Sequence, residues 1–68
     1  MNPLLHKRAI LLAGMKELLG LAQQFGELYE RTGNPTAMGQ HRYFTLEAER
    51  LGKRLIRVQK EIEELDLD

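Results

Sequence analysis

The sequence predicts an all-α protein: an antiparallel two-helix hairpin of coiled-coil type, paired into a four-helix bundle by dimerisation. Three observations carry this. Two long apolar repeats spaced 4 and 3 run along the chain, an Asn-Pro dipeptide precedes each, and a Gly33-Asn34-Pro35 break separates them. Strand-like alternation is absent. The 68 residues make one domain, and a single core of that size seldom supplies more than roughly 3 to 5 kcal/mol. There is no cysteine, so neither a disulfide framework nor a thiolate metal site can supplement the core. Packing against another chain is the commonest remaining route.

The first helix spans about residues 3–31. Asn2 suits the N-cap, because its side chain accepts from N–H groups that lack a helical partner, and Pro3 at the first helical position has no N–H to leave unsatisfied. Leu4, Leu11, Leu18 and Phe25 then alternate with Arg8, Met15, Ala22 and Tyr29 as the two lines of a heptad seam, with Arg8 as the misfit. Leu5, Leu12 and Leu19 on one side, and Leu21 and Leu28 on the other, widen the apolar arc beyond what a two-stranded zipper uses.

The turn occupies about residues 32–36. Gly33 can take the left-handed conformation of a helix C-terminus, while Pro35 cannot continue the hydrogen-bond ladder. Asn34-Pro35 also starts the second helix, over about residues 36–66, with Gly39 weakening its first turns. Phe44, Ala48, Leu51, Leu55, Val58, Ile62 and Leu65 form its seam, which reaches back to His41 and Ala37. Opposite charges four residues apart, Glu49 with Lys53, Arg57 with Glu61 and Lys60 with Glu64, each add about 0.3 kcal/mol on an exposed helix.

Helices of these lengths, each roughly 45 Å at 1.5 Å per residue, can run back along one another. The short turn sets Phe25 near Phe44 or Ala48, Ala22 near Ala48, Met15 near Leu55, and Leu11 near Val58 or Ile62. Leu4 then lies near Leu65, and Arg8 faces the acidic end with Glu61, Glu64 and Asp66. Ala22 against Ala48 makes a thin layer. Gly14, Gly20, Gly26 and Gly52 each cost about 1 kcal/mol inside a helix, which suggests close approach or a bend, although Gly20 on the polar side fits simple surface tolerance equally well.

The hairpin core is thus expected at Leu11, Met15, Leu18, Ala22, Phe25, Phe44, Ala48, Leu51, Leu55, Val58 and Ile62. Two helices leave Leu5, Leu12, Leu19, Leu21 and Leu28 as an apolar strip outside that seam, and such strips mark interaction surfaces. A second copy, or the helices of another protein, would cover it.

Chemistry-bearing patterns are few. His6 and His41 lie near opposite ends of the hairpin with no ligand spacing between them, so no metal or cofactor is expected. Glu63, Glu64, Asp66 and Asp68 read as a solvated acidic end without a partner base. No phosphate loop, nucleophile elbow or catalytic triad is present, and no enzyme activity or small-molecule substrate is expected. Ten Lys plus Arg balance ten Asp plus Glu, so the net field draws neither nucleic acid nor an anionic membrane. The basic residues concentrate on helix 2, where Arg50, Lys53, Arg54, Arg57 and Lys60 form the one candidate nucleic-acid face. Interleaved glutamates make a salt-bridged solvent face the simpler reading. The apolar run around Ala9–Met15 is far short of the ~20 residues that cross a bilayer, and a cytoplasmic location is the default expectation.

In architecture a dimer of such hairpins resembles the plasmid-encoded RNA-binding regulators of the Rop type, which implies RNA binding by the bundle. The stretch from Gly39 to Leu55, in the placing of Gln40, Tyr43, Leu46, Ala48 and Leu51, is similar to the small hairpin co-chaperones of type III secretion needles. Sporulation phosphatases of the Spo0E type are similar in size, but Thr45-Leu46-Glu47-Ala48-Glu49 does not supply their Ser-Gln-x-Leu-Asp signature. The leading expectation is a non-enzymatic adaptor or regulator acting through its leucines, with RNA binding through helix 2 and a secretion co-chaperone as the alternatives.

Overall fold

The computed structural model describes residues 2–65, and these form two helices, α1 Pro3–Thr32 and α2 Pro35–Glu64, packed as an antiparallel hairpin. It is a slender rod of 49 × 17 × 13 Å.

Both Asn-Pro dipeptides act alike. Asn2 Oδ1 accepts from the Leu4 N–H at 2.8 Å and Asn34 Oδ1 from the Thr36 N–H at 2.9 Å, each with the proline in the first helical turn. Gly33 ends α1 at φ 66°, the left-handed region where a Cβ is disfavoured, and its N–H donates to the Tyr29 carbonyl at 2.7 Å. Two residues therefore suffice to reverse the chain. The turn is tighter than the sequence suggested, because Pro35 already belongs to α2 and Gly39 does not delay the start.

The most buried side chains are Leu11, Ala22, Ala37, Ala48, Val58 and Ile62, all on the two seams. Met15, Leu18, Phe25, Phe44, Leu51 and Leu55, expected in the core, line the same seams but stay half-buried. Two helices meeting along one line cannot enclose large side chains from every direction. Leu11, Val58 and Ile62 form a cluster flanked by Leu4, Leu5, Leu51 and Leu55, and Phe25 stacks on Phe44 with ring centroids 5.6 Å apart.

The glycines divide by contact. A Cβ on Gly14 would stand 3.1 Å from Leu51 Cδ1, one on Gly26 would stand 3.0 Å from His41 Nδ1, and one on Gly52 would meet the Met15 sulfur at 3.6 Å. Gly20 has open space around it. Met15 thus sits level with Gly52, where the sequence set it near Leu55.

Some polar expectations change. The Arg8 guanidinium crosses the seam to donate to Gln59 Oε1 at 3.0 Å, while Asp66, one of its expected partners, lies outside the described residues. On α2 the ion pair that closes is Glu47 with Arg50 at 2.7 Å, three residues apart, whereas the expected pairs four apart do not close within ion-pair distance among the described residues. Exposed ion pairs gain too little over hydration to hold long side chains in one geometry.

Candidate functional site: two unlike faces of the hairpin

Each residue advances a helix by about 100°, so Leu12 and Leu19, seven apart, share a side, while Leu19 and Leu21 point to opposite sides of the seam. The five leucines expected as one strip are accordingly split between two faces of the hairpin. Leu5, Leu21 and Leu28 are also half-buried, with Leu5 packed against the Leu11–Ile62 cluster. Leu12 and Leu19 remain open, at 46% and 50% exposure.

On the leucine face, Met15 and Leu19 of α1 with Thr45, Ala48, Glu49 and Gly52 of α2 line a shallow groove of about 300 Å³. The groove exists because α2 is thin here: Gly52 and Ala48 offer little bulk beside Leu19. Ile56, one heptad beyond Glu49, extends the apolar edge at 61% exposure. Sequence reasoning missed Ile56, since it lies outside the α2 seam. Its alignment with Leu12 across the hairpin was the available signal.

The opposite face is charged towards the end where α1 begins. A groove there is lined by Lys7 and Leu11 of α1 and by Arg54, Arg57, Val58 and Glu61 of α2. Arg50, Lys53, Arg54, Arg57 and Lys60 are all exposed, and no acidic residue interrupts the stretch between Arg50 and Lys60. Glu49 and Glu61 bound it in sequence, and Glu47 is paired to Arg50. Further along, Tyr43 stands edge-on to Phe44 at 5.2 Å and is exposed.

His41, expected as a polar cap near the loop, reaches across the seam instead. Its Nδ1 lies 2.7 Å from the Ala22 carbonyl oxygen, which can only accept, so Nδ1 carries the proton. Bare Gly26 makes room for the ring. His6 is exposed at the other end. Among the described residues no group of three His, Asp or Glu side chains gathers as a metal would require. No helix of the described residues is long and apolar enough to cross a membrane. No family model, curated protein or solved structure matches the chain.

Proposed function

We propose that this hairpin is a non-enzymatic, cytoplasmic protein–protein interaction module that works through its leucine face, pairing with a second hairpin into a four-helix bundle. The observation that supports this is the exposure of Leu12, Leu19 and Ile56 around one apolar groove on a chain too small to have much core to spare. An adaptor or regulator of this kind binds by laying helices into a helix-lined groove.

Sedimentation equilibrium over a concentration series tests it. The wild-type chain dimerises in the micromolar range, and Leu19→Lys weakens the dimer at least about a hundredfold, since each of two buried anchors contributes upward of ~2 kcal/mol. A wild-type chain that stays monomeric and fully helical throughout, or a Leu19→Lys dimer of unchanged affinity, sinks the proposal.

A second reading has one observation behind it: the acid-free basic stretch from Arg50 to Lys60, joined by Lys7 at the groove on the opposite face. Binding of RNA there would weaken steeply with added salt, by roughly tenfold or more between 50 and 200 mM, and further with Arg54→Glu or Arg57→Glu. Salt-insensitive or undetectable RNA binding in a filter assay removes that reading.

A further inference from the structure

We propose that the occupant of the leucine face is a second copy docked with its turn at the same end, so that α1 of one hairpin lies antiparallel to α2 of the other. This rests on the reading above that the leucine face self-associates. By helical spacing Leu12, Lys16 and Leu19 share one side of α1, and Thr45, Glu49, Gly52 and Ile56 share one side of α2, both columns stepping by 4 and 3. Each is a second seam beside the first. The stacked pair Phe25–Phe44 and the packed pair Leu11–Val58 fix which residues of the two helices lie level within one chain.

A copy with its turn at the same end keeps those levels between chains. Leu12 then meets Ile56 of the second copy, joining two exposed apolar residues of the face. Lys16 lies over Gly52 of the second copy, where the missing side chain accommodates the lysine stem, and its ammonium reaches Glu49 one turn away. Leu19 enters the groove beside Thr45 of the second copy. Symmetry makes every contact twice.

The reverse arrangement, with turns at opposite ends, lays α1 on its own copy. With the two-fold axis at the level of Lys16 and Gly52, Lys16 faces Lys16 and Ile56 is set against Ala48 and Glu49. Like charges and an apolar side chain opposite a carboxylate both disfavour it.

The chain has no cysteine, so Thr36→Cys, at an exposed position beside the turn, can carry a single spin label on the full chain. Dipolar spectroscopy is expected to give a label separation of about 20 to 30 Å, some two to three helix spacings. A separation near the 49 Å length of the rod overturns this arrangement and leaves dimerisation intact, whereas the absence of any dipolar coupling at concentrations up to a millimolar overturns both. Independently, Lys16→Glu weakens the dimer about fivefold and adding Glu49→Lys restores it, as expected for a charge pair that crosses the interface. A double variant no tighter than the single one counts against the pairing.

Discussion

The end of the hairpin where α1 begins and α2 finishes, and the end beside the turn, follow the same 4-3 repeat yet pack by different chemistry. At the first end the seam is aliphatic and branched: Leu11, Val58 and Ile62, with Leu4, Leu5, Leu51 and Leu55 around them. At the turn end the most buried residues are alanines, Ala22, Ala37 and Ala48, beside the stacked Phe25 and Phe44 and the His41 bond to the Ala22 carbonyl. Small residues let the backbones approach, and flat rings and one cross-helix hydrogen bond then fill the seam. A repeat therefore specifies which side of a helix is buried, while side-chain volume specifies how closely the helices come.

The largest test of that contrast is Ile62, which is completely buried. Ile62→Ala is expected to cost about 3 kcal/mol through lost transfer energy and the cavity left behind. In a chain with so small a core, that should appear in urea titration as a large loss of helix in the absence of denaturant. A cost under about 1 kcal/mol would mean the aliphatic end collapses freely and is not the anchor.

Smaller effects sharpen the turn end. Gly20→Ala, in open space, is expected to stabilise by up to about 1 kcal/mol from helix propensity. Gly26→Ala receives the same gain but pushes a methyl to 3.0 Å from the His41 ring and strains its bond to Ala22, so its net effect should be close to zero. Made together with His41→Ala, Gly26→Ala should recover the full gain over the His41→Ala parent. Equal gains at Gly20 and Gly26 in the wild-type background would show that closeness there is incidental.

The two seams, both helix starts and the left-handed glycine were legible because each depends on residues within one or two turns of chain. Of the glycines, Gly20 could be set apart by its place on the polar side, and it has open space around it; that Gly26 faces the His41 ring depends on the other helix and was not legible. The five leucines outside the seam were read as one strip. Leu19 and Leu21 are neighbours in sequence space, and only their 200° separation about the helix places them on different sides.

The sequence by itself determined a hairpin reversing within about residues 32–36, because caps, breaker and periodicity are short-range and agree. The tertiary structure alone decided what each seam neighbour does. Lys7 and Arg8 near the positive end of α1, and Glu61, Glu63 and Glu64 at the negative end of α2, are unfavourable for their own helices. Folded antiparallel, those ends lie side by side, Lys7 and Glu61 line one groove, and Arg8 bonds to Gln59. Charge interactions act through space with no memory of chain order, so a locally wrong charge becomes a matched one once the second helix has returned beside the first.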